Sequence, residues 1–187
     1  TTAHYNGKIP RNPFAMYHVD PDHKEREFLT LDELTAMTEI KLEDPNMAFA
    51  RDLFIFGCWT GISFIDIKNL TEDNISMING APWIVSKRQK TGVPFQIKLM
   101  DIPMQIIGRY KAFRKGSHLF NIGNLDSINK RIKKVAAMCG IKKRVSFHVS
   151  RHSWAVLALE YGMPIESVSK ILGHTNITTT QIYAKVT

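Results

Sequence analysis

The residue types that phosphate chemistry needs are concentrated near the C-terminal end of the sequence. His148 and Arg151 are three residues apart, so their side chains share one face at the start of a predicted helix. The unsatisfied N–H groups at such a helix N-terminus favour a bound phosphate. Gly173 ends a later predicted helix and leaves His174 on a turn, and Tyr183 follows nine residues after His174. Each of these residues alone is more often structural, so the chemistry requires that they converge on one anion.

The charge distribution points to a polyanionic partner. The net charge is +8, but residues 20–73 hold 13 acidic and 5 basic residues, whereas residues 109–151 hold 12 basic residues and one acid. A field of this kind attracts phosphate backbones. Solvated helix faces are the alternative, and no basic helix carries a matching apolar face for a membrane. The basic residues that we assign to DNA binding in this region are Lys130, Arg131, Lys133, Lys134, Lys142, Lys143 and Arg144.

Length and composition describe one globular domain. The 187 residues are 44% hydrophobic and 22% charged, which excludes collagen-like, strongly disordered and membrane-spanning classes. Cys58 and Cys139 are far apart and lack zinc-like spacing, so we expect a reducing compartment, no disulfide scaffold and no metal. The chain begins with neither Met nor a signal peptide, which favours a piece of a longer protein.

The pattern of apolar and turn residues predicts a mainly α fold with a small three-stranded antiparallel β-sheet. Residues 1–27 are expected to form an N-terminal arm or linker from a missing upstream domain, and residues 28–187 to form the domain itself. The predicted strands are 74–78, 83–87 and 93–99. The predicted helices are 30–40, 47–59, 62–70, 104–114, 125–139, 151–161, 165–172 and 179–184.

Taken together, these motifs resemble the tyrosine recombinases, also called the phage integrase family. The order His148-x-x-Arg151, then His174, then Tyr183 nine residues later matches the signature of that family. Residues 60–70 resemble its first conserved box. The resemblance implies a tyrosine-recombinase-like catalytic domain.

Two further segments carry the same resemblance. Residues 90–92, Lys-Thr-Gly, resemble the hairpin that holds the active-site lysine of the family, and residues 29–34 resemble the opening of its catalytic domain. The match therefore covers nearly the whole chain.

The resemblance implies strand cleavage without metal, ATP or any other cofactor. A tyrosine hydroxyl attacks phosphorus, which leaves a 3′-phosphotyrosyl link and a free 5′-hydroxyl. Guanidinium and imidazole groups stabilise the transition state. The implied roles are nucleophile for Tyr183, phosphate donors for Arg151 and His174, donor or proton acceptor for His148, and proton donor to the 5′-oxygen for Lys90. Lys87 and Arg88 are assigned to DNA binding and are neighbouring competitors for the role of Lys90.

One position departs from the family pattern. Ser63 stands where the first box normally holds an arginine, and the loss of one guanidinium from a phosphoryl-transfer site costs about 10³-fold or more in rate. Arg51, on the apolar helix before this box, is our candidate replacement, because a buried arginine needs an anionic partner. A salt bridge from Arg51 to Asp52 or to the acidic N-terminal segment is the equal alternative.

The expected function is that of a site-specific DNA recombinase, of the mobile-element integrase type. A catalytically impaired DNA-binding domain and a type IB topoisomerase-like enzyme are the alternatives. The family implies a tetramer on double-stranded DNA, with accessory DNA-bending proteins, whereas we expect the chain alone to be monomeric. The expected location is the bacterial cytoplasm, at the nucleoid.

Overall fold

A computed structural model describes residues 27–184, so the predicted arm lies outside the described residues except for its last position. The helices are α1 (Leu31–Glu39), α2 (Pro45–Thr60), α3 (Phe64–Lys68), α4 (Asp101–Arg109), α5 (Leu125–Met138), α6 (Phe147–Glu160), α7 (Ile165–Leu172) and α8 (Thr178–Ala184). The strands are β1 (Ile75–Ile78), β2 (Ala81–Lys87) and β3 (Pro94–Lys98). This mainly helical fold with one small sheet confirms the predicted fold class.

Helix α2 is the centre of the domain. Its N-terminus is capped by Asp44, whose carboxylate accepts a hydrogen bond from the backbone N–H of Asn46 at 2.8 Å. The residues from Ala50 to Cys58 are all buried, and α1, α4, α5 and α6 pack around them. A helix that is apolar on every side has to be enclosed in this way. The sequence prediction of a buried helix here is confirmed.

The sheet is an antiparallel meander in the order β1-β2-β3, in which Ile84 pairs with Ile75 on one side and Ile97 on the other. Asn79 and Gly80 turn β1 into β2 with φ angles of 50° and 75°, which is the geometry that favours Asn-Gly in a two-residue hairpin. The turn between β2 and β3 comprises residues 88–93. Through Arg88 it contacts α3 and α7.

Helices α2 and α6 approach each other closely at two glycines. A Cβ atom on Gly57 would lie 2.5 Å from Oγ of Ser150, and one on Gly61 would lie 2.6 Å from the ring of Trp154. Gly61 also ends α2 with a φ angle of 65°, in the left-handed region. This contact fixes the position of α6, the helix that carries His148 and Arg151.

Some element boundaries differ from the prediction. The helix expected over 62–70 is only the five residues of α3, because Gly61 turns the chain and Ser63 serves as the N-cap. The helix expected over 104–114 begins at Asp101 and ends at Arg109. Within residues 27–184, no helix is both long enough and apolar enough to cross a membrane.

Replacing Gly61 by alanine is expected to destabilise the fold by more than about 2 kcal/mol, because left-handed strain and a clash with Trp154 add together. Urea unfolding measures the effect. Gly80→Ala is the matched control, since Gly80 also has a positive φ angle but meets nothing within 4 Å. Equal losses in the two variants would contradict the proposed contact between α2 and α6.

Candidate active site

An open cavity of about 480 Å³ brings together four of the residues that the sequence singled out: Lys90, His148, Arg151 and His174. They come from the β2–β3 turn, from α6 and from the turn after α7. The cavity wall also contains the charged residues Asp66 and Arg88, and Ser63, the N-cap of α3. The cavity therefore gathers cationic and imidazole groups from distant parts of the chain.

Arg151 is held in this cavity by two backbone carbonyl groups. Its Nη1 donates to the carbonyl oxygen of Gly61 at 3.0 Å, and its Nη2 donates to that of Leu172 at the end of α7. Burial and the nearby positive charge of Arg88 lower the pKa of Arg151 to about 10, and Tyr183 and Asp66 oppose this shift. The guanidinium is thus placed where additional negative charge would stabilise it.

Arg88 is a second buried guanidinium in the same cavity. Its Nη1 donates to Oδ2 of Asp66 at 2.9 Å, its Nη2 donates to the carbonyl oxygen of Ile171, and its guanidinium carbon lies 4.0 Å from the ring centroid of Phe95. Burial lowers the pKa of Arg88, against the opposing effect of Asp66. Nε of Arg88 is buried and has no hydrogen-bond partner within residues 27–184. Nε packs towards Gly173, because a Cβ atom added to that glycine would lie 3.2 Å from it.

Ser63 and Asp66 hold Arg88 in position. The hydroxyl of Ser63 donates to Oδ2 of Asp66 at 2.7 Å, and Oδ1 of Asp66 accepts from the backbone N–H of Gln89 at 2.8 Å. The carboxylate of Asp66 therefore ties the start of α3 to the β2–β3 turn. Lys90, which is exposed, follows on that turn.

The turn after α7 requires Gly173. Its φ angle is 66°, and a Cβ atom there would lie 3.0 Å from Cγ of Arg88. His174 follows, and its Nδ1 lies 2.8 Å from Oγ1 of Thr180 on α8. The turn thus brings Arg88 and His174 to the same cavity wall.

Tyr183 lies behind the cavity and does not line it. Its side chain is only 3% exposed, and its hydroxyl oxygen lies 2.5 Å from Nδ1 of His152. The ring of His152 in turn contacts the ring of His148 edge to face, with centroids 4.3 Å apart. Tyr183 therefore contacts His152, which in turn contacts His148 on the cavity wall.

Arg51 is not brought to the cavity, which corrects our expectation that it replaces the missing arginine. Its Nε donates to Oδ1 of Asp52 at 2.6 Å, and its Nη1 donates to the carbonyl oxygens of Met37, Thr38 and Ile40 at 2.9–3.1 Å. These carbonyls lie at the C-terminal end of α1, where unpaired acceptors need donors. The salt bridge to Asp52, the alternative from the sequence, is the interaction that the structure shows.

The sequence did contain a signal for the position of Arg88. Side chains alternate between the two faces of a strand, so Arg88 continues the inner face of Ile84 and Ser86, whereas Lys87 belongs to the outer face. In the structure Ile84 and Arg88 are buried and Lys87 is exposed. Strand alternation would therefore have distinguished the inward arginine from the outward lysine.

The other basic residues assigned to DNA binding, apart from Lys87 and Arg88, lie on α5 and on the loop after it. Two of them make contacts within the protein, because Lys143 pairs with Glu33 at 2.6 Å and Arg131 donates to Ser127. The exposed ones are Lys130, Lys133, Lys134, Lys142 and Arg144. Among the described residues, no group of three or more His, Cys, Asp or Glu side chains is placed to hold a metal ion.

This fold is that of the catalytic domains of tyrosine recombinases. A lambda integrase dimer bound to a core site superposes with a TM-score of 0.76 at 19% identity, over 97% of this chain and 67% of that one. The Tn1549 transposon integrase in complex with circular intermediate DNA gives 0.76 at 20% identity, over 97% and 69%. The XerH recombinase in a post-cleavage complex gives 0.76 at 18% identity, over 90% and 52%.

Residues 27–187 match the phage integrase family, and the chain belongs to that family. It is 47% identical to the tyrosine recombinase XerC of Natranaerobius thermophilus, over 96% of this chain and 65% of that protein. It is 27% identical to XerC of Neisseria meningitidis serogroup B, over 82% of this chain and 54% of that protein. The chain thus spans about half to two thirds of the length of these curated relatives.

Replacing Arg51 by methionine is expected to lower the free energy of unfolding by about 3 kcal/mol or more, because Asp52 and the carbonyls at the end of α1 lose a buried donor. Denaturant unfolding measures the loss. Lys142→Met, at an exposed position, is the control and is expected to change stability by about 0.5 kcal/mol or less. Similar values for the two variants would contradict a structural role for Arg51.

Proposed function

We propose that this chain cuts and rejoins DNA strands by transesterification, as the catalytic domain of a site-specific recombinase. The observation that carries this proposal is the convergence of Arg88, Arg151, His148, His174 and Lys90 on one cavity. Phosphoryl transfer depends on positioning and on stabilisation of negative charge, and these side chains offer both. The names of the similar proteins, which are recombinases and integrases, support the same reaction.

In the proposed step, the hydroxyl oxygen of Tyr183 attacks the phosphorus of a strand. A bond from phosphorus to the phenolic oxygen forms, and the bond to the 5′-oxygen breaks. The phenolic proton passes to the imidazole of His148, and the ammonium of Lys90 gives a proton to the departing 5′-oxygen. Reversal of the step with another 5′-hydroxyl rejoins the strand, and the phosphodiester is conserved, so no ATP is consumed.

We assign to Arg88 the role of the guanidinium that is missing at Ser63. Arg88 lies beside Ser63 through their common partner Asp66, and it lines the same cavity as Arg151. The alternative of an impaired DNA-binding domain depended on the loss of one guanidinium. Because Arg88 and Arg151 line one cavity, two guanidinium groups can bind the phosphate. The missing arginine at Ser63 is then no reason to expect a loss of catalysis.

Attack requires that the hydroxyl of Tyr183, which is buried against His152, reach the cavity. Its helix, α8, is seven residues long and packs on α6 and α7. A shift of α8 that separates the hydroxyl from His152 would bring the oxygen towards the cavity. We propose that DNA binding produces this shift.

The finer features of the function are carried over from similar proteins. Double-stranded DNA is the proposed substrate, because the names of the three solved structures state complexes with a difH substrate, a circular intermediate DNA and a core site. The exposed basic residues of α5 suit such a partner. A tetramer on DNA, accessory DNA-bending proteins, a mobile-element role and a location at the bacterial nucleoid are part of the same proposal. So is the division into an arm over residues 1–27 and a catalytic domain over residues 28–187.

Tyr183→Phe is expected to abolish covalent attachment to DNA and to leave duplex binding unchanged, because only the nucleophilic oxygen is lost. A pool of nicked duplexes with randomised sequence serves as the substrate, and the adduct is detected on a denaturing gel. The control is Tyr161→Phe, at a position that is 74% exposed, which should form adduct like the unaltered chain. An adduct with Tyr183→Phe, or none with the unaltered chain, would contradict the proposal.

Arg88→Lys is expected to slow single-turnover cleavage by about 10³-fold, since lysine keeps the charge but loses the planar fork and its Nε donor. Duplex binding should change little. Arg109→Lys is the matched control, because Arg109 pairs with Asp52 outside the cavity and lysine preserves that pair. A cleavage rate within about tenfold of the unaltered chain would remove Arg88 from the reaction.

A further inference from the structure

We infer that a second cavity binds the DNA phosphate next to the one in the active site; this inference rests on the proposed function. The cavity has a volume of about 110 Å³ and lies between the end of α3 and the loop 115–122. The side chains of Lys68, Asn69, Lys115, His118 and Asn121 supply its polar lining. It is several times larger than the ~30 Å³ that one water occupies in the liquid, so it has room for a phosphate group.

The charge of this cavity is positive and unbalanced. No carboxylate lines it, and within residues 27–184 neither Lys68 nor Lys115 forms an ion pair. The carboxylate of Glu72, on the segment after α3, is engaged by Arg114. Two lysines that share a concave surface without an acid repel each other, and an anion between them removes that repulsion.

The walls of the cavity are fixed before any ligand binds. The backbone N–H of Leu119 donates to the carbonyl oxygen of Leu70 at 2.8 Å, and His118 forms a β-bridge with Thr71. Phe120, at the base, is 2% exposed and packs edge to face on Phe56 with centroids 5.2 Å apart. A preformed site loses less entropy when it binds its ligand.

Helix α3 connects this cavity to the active site. Ile65, which is 47% exposed, lines the active-site cavity, and Lys68 and Asn69 lie one turn further on the same face. The amide of Asn69 donates to the carbonyl oxygen of Ile65 at 2.9 Å. Three residues of helix advance about 4.5 Å, and successive phosphates of one strand advance about 3.4 Å along the DNA axis. The two cavities are thus neighbours along α3, which is the placement that adjacent phosphates of one strand require.

The salt dependence of duplex binding tests this site. In the variant Lys68→Gln/Lys115→Gln, the slope of log K against log salt concentration is expected to fall by about one, because one phosphate contact is lost. The matched control, Lys41→Gln/Lys98→Gln, removes the same charge at exposed positions away from both cavities and should keep the slope of the unaltered chain. A 30-base-pair duplex is the probe, and thermal unfolding verifies that both variants are folded.

The outcomes separate this inference from the proposed function. If the unaltered chain binds the duplex without salt dependence, the proposed DNA substrate fails, and the second site fails with it. If the unaltered chain shows the slope but the Lys68→Gln/Lys115→Gln variant keeps it, only the second site is overturned. A lower slope in that variant alone, together with adduct formation by the unaltered chain, supports both.

Discussion

Two guanidinium groups of like charge, that of the buried Arg88 and that of the half-buried Arg151, lie at the end of α7, and the site depends on what holds them there. The carbonyl oxygens of Ile171 and Leu172 accept hydrogen bonds from Arg88 and Arg151, respectively. These groups belong to a helix C-terminus, which carries partial negative charge. Asp66 balances one positive charge and leaves the other unbalanced. Burial, and after it the positive charge of Arg88, lower the pKa of Arg151, and a bound phosphate diester supplies the missing negative charge.

Arg51, which the sequence offered for the missing position, and Arg88, which we propose for it, have different partners. Arg51 satisfies backbone carbonyls at the end of α1 and pairs with Asp52, so all its described contacts are with groups that are part of the fold. Arg88 retains a buried Nε without a partner among the described residues and faces a cavity that His148 and His174 share. The two arginines therefore differ in position, because Arg51 binds the end of α1 whereas Arg88 lines the cavity.

Much of the fold was predictable because it follows from local patterns. The apolar helix α2 and the three antiparallel strands depend on neighbouring residues, and each is found close to where the sequence places it. The proposed replacement for the arginine that is missing at Ser63 was not predictable from spacing. Arg88 reaches Asp66 across 22 residues, through the packing of a sheet on a helix. The burial of Tyr183 was missed for a similar reason, since its contact with His152 joins residues 31 positions apart.

The central claim is that Arg88 acts on the phosphate, and a crystal structure of the chain with orthovanadate and the two DNA fragments of a cleaved site tests it most directly. We expect a trigonal-bipyramidal vanadate with Tyr183 at one apex, and donors of both Arg88 and Arg151 about 2.7–3.2 Å from its equatorial oxygens. A vanadate that is bound by Arg151 and the histidines, with Arg88 paired only to Asp66 and out of hydrogen-bond range, would contradict the claim.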